Sequence, residues 1–221
     1  KIMKEKDKFT LITGKIEKFR VAVGGVTSGV TRTVHRQNQY VLAETLAKAC
    51  EKAAADQNKK VAFSIDELDE SILENGPRRI IKEVLTQLVR NSVTHGIEPP
   101  QDRTTAGKDS QGTIRLSITR ENSHIRIKLS DDGKGLDFGK IREKALNQKL
   151  LSTEKANNKN QLFKVIFFPG FSTADSTDLY AGRGIGLNLV RERIKSLQGS
   201  IKLSNEPGKG ATFNLLIPVG P

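Results

Sequence analysis

Residues 168–186 read FPGFSTADSTDLYAGRGIG, and no other segment of the chain constrains the fold as strongly. Glycines occupy alternate positions at its end, at Gly182, Gly184 and Gly186. Residues 187–197 follow with apolar side chains at helical spacing and predict a helix. A glycine-rich turn that opens a helix is an anion site, because unpaired N–H groups and the positive end of the helix dipole converge there. Taken alone, the pattern is equally consistent with a plain tight turn.

The segments on either side predict an α+β fold. Apolar periodicity predicts helices and alternation predicts strands, and the glycines and prolines mark the turns between them. We expect a two-layer sandwich in which helices cover one face of a mixed β-sheet. Residues 1–57 are expected to form a helical and linker segment that docks or dimerises, and residues 58–221 the main domain. The predicted elements are helices at about 31–57, 77–95, 138–148 and 187–197, and strands at 60–65, 112–119, 124–130, 200–204 and 211–218.

The composition excludes several classes of protein. Of the 221 residues, 36% are hydrophobic and 28% are charged, which is typical of a soluble globular protein. A single cysteine, Cys50, rules out an internal disulfide and fits a reducing compartment. No apolar run approaches the roughly 20 residues that cross a bilayer, and Lys1 begins no signal peptide. We therefore expect a cytoplasmic chain without membrane contact, cut from a longer protein that could itself be membrane-associated.

The net charge of +12 is concentrated near the beginning of the chain, where residues 1–60 carry 13 Lys and Arg against 6 Asp and Glu. Such a basic arm could bind nucleic acid. However, only 5% of the residues are aromatic, and no interleaving of basic and aromatic residues predicts a base-stacking surface. A solvated helix face is the favoured interpretation, and nucleic acid is not an expected partner.

Two polar groups accompany the glycine-rich turn. On the helix at 77–95, Gln87, Asn91 and either Thr94 or His95 share one face, and an amide oxygen suits a hard cation such as Mg²⁺. At the end of a strand, Asp131 stands in the sequence Asp-Asp-Gly-Lys-Gly and could accept a hydrogen bond from the exocyclic amine of adenine. The plainer interpretations are a solvated helix face and an ordinary strand exit. The polar stretch at about 151–183 looks like a lid over a nucleotide.

Together and in this order, the motifs resemble the ATP-binding fold shared by gyrase, the Hsp-type chaperones, mismatch-repair ATPases and histidine kinases. The resemblance covers about residues 61–218 and is closest to the kinase core of the chemotaxis histidine kinases. VRNSVTHGIEPP at 89–100 resembles the family's Asn-containing box, and DDGKGLD at 131–137 resembles its first glycine box. FPGFSTAD at 168–175 resembles the lid segment, and GRGIGLNLVRERIKSLQGSI at 182–201 the second glycine box.

This resemblance implies a site for ATP and Mg²⁺. Asn91 would hold the metal, and Asp131 would bind the adenine amine. The predicted catalytic residues are Gln87, Asn91 and His95. The predicted nucleotide-binding residues are Arg90, Asn91, Asp131, Gly133, Gly135, Phe171, Ser172, Thr173, Gly182, Arg183, Gly184, Gly186, Leu187 and Thr212.

The chain departs from the family pattern at three positions, and one of them bears on the reaction. Gln87 stands where these kinases usually carry His, Thr94 where they carry Asp, and Ala211 where an adenine-side Thr is common, which leaves Thr212 one place off. The ATP-hydrolysing relatives carry a Glu at position 87 as the base for water, whereas an amide cannot take a proton. A neutral imidazole needs no such base, so transfer to a histidine is favoured over hydrolysis.

The resemblance further implies a histidine phosphoacceptor domain and a response regulator as partners. The chain contains His35, His95 and His124, and none is the expected acceptor, which we place on another domain or protein. A homodimer through the N-terminal segment is the other expected contact. The alternative is a catalytically degenerate ATP-binding module that acts as a conformational switch.

Overall fold

The computed structural model describes residues 19–21, 41–73, 77–171 and 186–219. Its sheet contains six described strands in the order β1-β2-β3-β4-β6-β5. Strands β2 and β3 are parallel, and the other neighbouring pairs are antiparallel. The strands are β1 (Phe19–Val21), β2 (Val61–Leu68), β3 (Gly112–Glu121), β4 (His124–Asp131), β5 (Ser200–Glu206) and β6 (Gly210–Pro218).

Six α-helices lie in the described part of the chain. The second continues without a break into a π-helical turn, Ser92–Gly96. The helices are α1 (Val41–Asp56), α2 (Arg78–Asn91), α3 (Pro100–Thr105), α4 (Phe138–Asn147), α5 (Lys159–Val165) and α6 (Leu187–Ser196), with short 3₁₀ turns at Glu70–Leu73 and Lys155–Asn157. None of the helices within these described ranges is long and apolar enough to cross a bilayer.

Alternation along the strands separates the two faces of the sheet. In β4, Ile125, Ile127 and Leu129 are buried, whereas Arg126 and Lys128 between them are exposed. The same alternation in β3 and β6 places one apolar face against the helices, because successive side chains of a strand point to opposite sides. The expected two-layer α+β sandwich with a mixed sheet is confirmed.

Helix α1 contributes to this same core. Its residues Leu42, Leu46 and Cys50 are fully buried, and they belong to one apolar cluster with α2 and the sheet. The earlier part of the expected helix, residues 31–40, lies outside the described residues. The division of the chain after residue 57 and the docking role of residues 1–57 stay predictions.

Three regions differ from the sequence-based expectation. No helix was predicted at Pro99 and Pro100, but Pro100 begins α3, because proline is favourable in the first helical turn, where its missing N–H has no intrahelical partner. No helix was predicted at residues 155–161, yet they form a 3₁₀ turn and the start of α5, where Asn158 caps the helix by accepting from the Asn160 N–H. Strand β2 also continues to Leu68, beyond the expected end at residue 65.

Candidate nucleotide-binding site

Helix α2 presents two amides one turn apart. Its buried face contains Ile81, Leu85 and Leu88, which fix the helix on the sheet. Gln87 and Asn91 lie on a partly buried side, and Gln87 Nε2 donates a hydrogen bond to Asn91 Oδ1 at 3.0 Å. This i, i+4 contact restricts both side chains. It uses one lone pair of the Asn91 oxygen, and no other residue in the described part of the chain donates to this oxygen.

The π-helical turn that follows α2 connects the helix to the sheet. Ser92, at the start of this turn, is buried, and its Oγ donates to Oδ2 of Asp131 at 2.9 Å. Lys59 Nζ donates to the backbone oxygens of Val93 and Thr94, at 2.7 and 2.8 Å. A cation at this end of a helix is favourable, because the terminal carbonyls are unpaired and the dipole is negative there. The turn therefore holds Ser92 against the end of β4.

Asp131 is the buried carboxylate of the site, with 9% of its surface exposed. Besides the bond from Ser92, its Oδ1 accepts the backbone N–H of Gly133 at 3.1 Å and that of Ala211 at 3.3 Å. Burial raises the pKa of Asp131, the three hydrogen bonds oppose that shift, and the nearby charge of Asp132 adds to it. Within the described residues, Ser92 is the one donor to Oδ2. Oδ2 can therefore accept a further hydrogen bond from a ligand.

Close approach of the backbone surrounds Asp131. A Cβ at Gly133 would collide with the backbone carbonyl of Gly96, and one at Gly210 would collide with the carbonyl of Asp131. Gly210 also has a φ of +117°, which side-chain-bearing residues rarely adopt. Gly135 lies against Asn205 of β5, whose Oδ1 accepts the Leu136 N–H at 2.6 Å. The first glycine box is therefore held between the end of α2 and the β5–β6 hairpin.

The structure brings one subset of the predicted residues together. Asn91 lies next in the chain to Ser92, which contacts Asp131, and Gly133 packs on Gly96 of the same turn. Arg90 and His95 are exposed on this part of the chain. Gly186 directly precedes α6, and Phe171 and Leu187 are partly buried against the apolar core. Ser172, Thr173, Gly182, Arg183 and Gly184 lie outside the described residues.

Thr212 is not brought to this group. In β6 its neighbours Ala211 and Phe213 are buried under the helices, so Thr212 occupies the opposite face of the sheet, where it pairs with Ser130. The residue of this strand that contacts Asp131 is Ala211, through its backbone N–H. A backbone donor does not depend on the side chain at that position, so the absence of a threonine at 211 leaves this contact in place.

Sequence reasoning missed Ser92 and the residues that hold the glycine box from behind. Ser92 did carry a signal, since it is a hydroxyl on the buried side of an amphipathic helix, next to Val93, and a buried polar group needs a partner. Arg103 carried no comparable signal. It is buried on a six-residue helix, and its partner Asp132 is 29 residues away in the chain.

Comparison with known proteins identifies the family. The family described as "Histidine kinase-, DNA gyrase B-, and HSP90-like ATPase" matches residues 76–221, and the chain belongs to it. Chemotaxis protein CheA of Halobacterium salinarum is 38% identical over 172 residues, which are 75% of this chain and 25% of that protein. Sensor histidine kinase CheAY of Helicobacter pylori is 41% identical over 155 residues, 69% of this chain and 19% of that protein. The resemblance to the chemotaxis histidine kinases is confirmed, and the chain spans a quarter or less of the length of these relatives.

Proposed function

We propose that this chain is the ATP-binding catalytic module of a histidine kinase, which transfers the γ-phosphoryl group to a histidine on a separate domain or protein. The observation that carries the proposal is the Asp131 carboxylate, buried and fixed by three hydrogen bonds at the end of β4. A carboxylate in this setting accepts the exocyclic amine of adenine and disfavours the carbonyl that guanine carries at the same position. The family membership and the chemotaxis relatives support the assignment to kinases.

Asn91 is the residue that would hold Mg²⁺. Its oxygen keeps a lone pair beside the bond from Gln87, and one hard oxygen ligand suits a metal that retains most of its waters. When bound, the metal would neutralise charge on the phosphates. We expect Gly182, Arg183 and Gly184 to contact the phosphates with Gly186, where α6 begins.

Gln87 favours transfer over hydrolysis. The amide lies beside Asn91 and cannot remove a proton from water at any ordinary pH. An acceptor imidazole attacks through its own nitrogen lone pair, so the chain needs only to position the triphosphate and to stabilise its charge. In this proposal the partners are a phosphoacceptor histidine domain and a response regulator, and a homodimer through residues 1–57 is a further expectation.

Two assays test the proposal. Fluorescent ATP should bind in the presence of Mg²⁺, and label from [γ-³²P]ATP should reach a supplied histidine phosphoacceptor domain. Asn91→Ala should reduce transfer far more than binding, because the metal acts on the phosphates, whereas Asn214→Ala on the opposite face of the sheet should change neither. Absence of ATP binding at millimolar nucleotide would refute the proposal.

A second candidate function is an ATP-gated switch without catalysis. It is motivated by the departures at Gln87, Thr94 and Ala211, and in particular by the Gln87 side chain, which already occupies one lone pair of Asn91. The transfer assay separates the two functions. Tight ATP binding without any label on the acceptor domain would favour the switch.

A further inference from the structure

An ion cluster lies behind the first glycine box, and none of its members is among the residues that we assign to nucleotide binding. Its members are Arg103 on α3, Lys108 just after that helix, Glu98 before it, and Asp132 in the box. Arg103 is 1% exposed and donates to Glu98 Oε2 at 3.0 Å and to Asp132 Oδ2 at 3.1 Å. Lys108 Nζ donates to Glu98 Oε1 at 2.8 Å. The two cations thus share the Glu98 carboxylate, and Arg103 also contacts the carboxylate of Asp132.

The two cations of the cluster favour the ionised form of Glu98. Burial acts to raise the pKa of Glu98, but the hydrogen bond from Lys108, its own backbone N–H and the charges of Lys108 and Arg103 outweigh burial and hold the pKa below its usual range. Glu98 is therefore ionised at neutral pH, and both cations have a fixed counter-charge.

The same two cations also bind the backbone of the glycine box. Lys108 Nζ donates to the carbonyl oxygens of Asp132 at 3.0 Å and of Gly133 at 2.8 Å. Arg103 Nη1 donates to the carbonyl oxygen of Asp132 at 3.2 Å. Both carbonyls are consequently turned toward α3.

This orientation determines where the N–H groups of the box point. In a trans peptide the C=O and the N–H point in opposite directions. The carbonyl of Asp132 and the N–H of Gly133 belong to one peptide, and that N–H donates to Asp131 Oδ1 at 3.1 Å. The carbonyl of Gly133 and the N–H of Lys134 belong to the next peptide, and that N–H donates to the Gly96 oxygen at 2.9 Å. Each peptide is held at its oxygen by the cluster and at its nitrogen by the site.

We propose that Lys108 and Arg103 are positioning residues for nucleotide recognition, which act by fixing these two peptides and thereby the Asp131 carboxylate. This inference rests on the proposed ATP binding and adds to it a second set of residues that touches no ligand. Stability alone is a weak reason for the cluster, since a buried ion group adds little over apolar packing of similar volume. Orientation of the peptides is a task that apolar side chains would not perform, because they cannot bind a carbonyl oxygen.

Lys108→Met tests the inference in the 221-residue chain. It keeps most of the apolar stem of the side chain and removes all three hydrogen bonds from Nζ. The dissociation constants for Mg-ATP and Mg-ITP and the number of binding sites are measured by calorimetry. ITP carries a carbonyl where ATP carries the amine, so the ratio of the two constants reports on Asp131. Lys128→Met, on the exposed face of the sheet, is the matched control, and Lys108→Arg, which keeps the charge and the donors, is the rescue variant.

Binding of ATP should weaken about tenfold or more in Lys108→Met, as expected for the loss of charged hydrogen bonds that hold the acceptor in place. The ratio of the dissociation constant for Mg-ITP to that for Mg-ATP should decrease, and the number of binding sites should stay unchanged. Lys108→Arg should restore part of the affinity for ATP. If Lys108→Met does not fold, Lys108→Gln retains an uncharged NH₂ donor group and should show the same changes at smaller size.

Three results would contradict the inference. A lower number of sites with unchanged dissociation constants would mean that Lys108 only stabilises the fold, and the inference would be wrong. Equal affinity of Lys108→Met and Lys128→Met for ATP would also overturn it, with ATP binding by the parent chain intact. If the parent chain itself fails to bind ATP, the proposed function fails first and the inference with it.

Discussion

The hydroxyl of Ser92 donates a 2.9 Å hydrogen bond to Oδ2 of Asp131 and joins the end of α2 to the end of β4 across 39 positions of the chain. Both residues are buried, so the bond is not in competition with solvent. It ties the helix that carries Asn91 to the carboxylate that we assign to adenine. The elements that carry the proposed metal ligand and the proposed base acceptor are thereby linked by this contact.

We expect Ser92→Ala to weaken ATP binding most at low pH. The bond from Ser92 lowers the pKa of Asp131, so its loss raises a pKa that burial has already raised. A proton on Oδ2 would take up the position that accepts the amine, so binding should be lost at higher pH in the variant than in the parent chain. A titration of the ATP dissociation constant against pH measures this shift, with the exposed Ser200→Ala as control.

Protonation of Asp131 should weaken ATP binding but should stabilise the folded chain. Because the folded-state pKa of Asp131 is above its unfolded value, the native state binds this proton more tightly. Its contribution to the free energy of unfolding is present below the unfolded pKa and is lost as pH rises through the folded one. For the binding prediction, identical dependence of the ATP dissociation constant on pH in Ser92→Ala and in the parent chain would be the contradicting result.

Gly133→Ala should impair both folding and binding. The new Cβ would collide with the backbone carbonyl of Gly96, which cannot rotate away as a side chain could. A loss of about 2 kcal/mol or more in the free energy of unfolding is expected from such overpacking, measured by urea denaturation. Gly139→Ala near the start of α4 meets only the side chain of Asp137, and this control should be close to neutral. Equal stability of the two variants would show that the turn is not packed as described.

Lys59 should make stability depend on pH in the alkaline range. Burial, with the nearby charge of Lys134, lowers the pKa of Lys59 to about 8, and the charge of Glu98 opposes this shift. The unfolded chain therefore binds this proton more tightly than the folded chain does, and the free energy of unfolding should rise between about pH 8 and the ordinary lysine pKa of 10.5. In Lys59→Met this rise should be missing, whereas the exposed Lys60→Met should retain it. Parallel curves for the parent chain and Lys59→Met would contradict the prediction.

Much of the fold could be predicted because its signals are local. The strands β3 and β4 alternate between apolar and polar residues, β6 does so over most of its length, and α2 has apolar residues at helical spacing. Their types and approximate ends therefore follow from the sequence. Asp131 could be placed at a strand end for the same reason. Helix α3 was missed since two adjacent prolines are typical of a break, and only the structure shows that Pro100 starts a new helix.

The parts of the site that depend on distant contacts could not be predicted. Whether Ala211 or Thr212 faces Asp131 depends on the register of β6 against β4, and a shift by one residue exchanges the two faces. The burial of Arg103 depends on Asp132, Glu98 and the backbone at Asp109, which come together only after the sheet and α3 have formed. No local pattern contains that information.

The central claim is that Asp131 recognises the purine amine, and the base preference of Asp131→Asn tests it most directly. Oδ1 accepts two backbone N–H groups, so the amide oxygen of the variant must take that place and its NH₂ the place of Oδ2, where Ser92 can accept from it. The NH₂ would repel the amine of ATP and donate to the carbonyl of ITP. Calorimetry at neutral pH should find that the parent chain prefers Mg-ATP and that the variant prefers Mg-ITP, each by about tenfold or more. If Asp131→Asn binds ATP as tightly as the parent chain does, Asp131 does not read the base and the account is wrong.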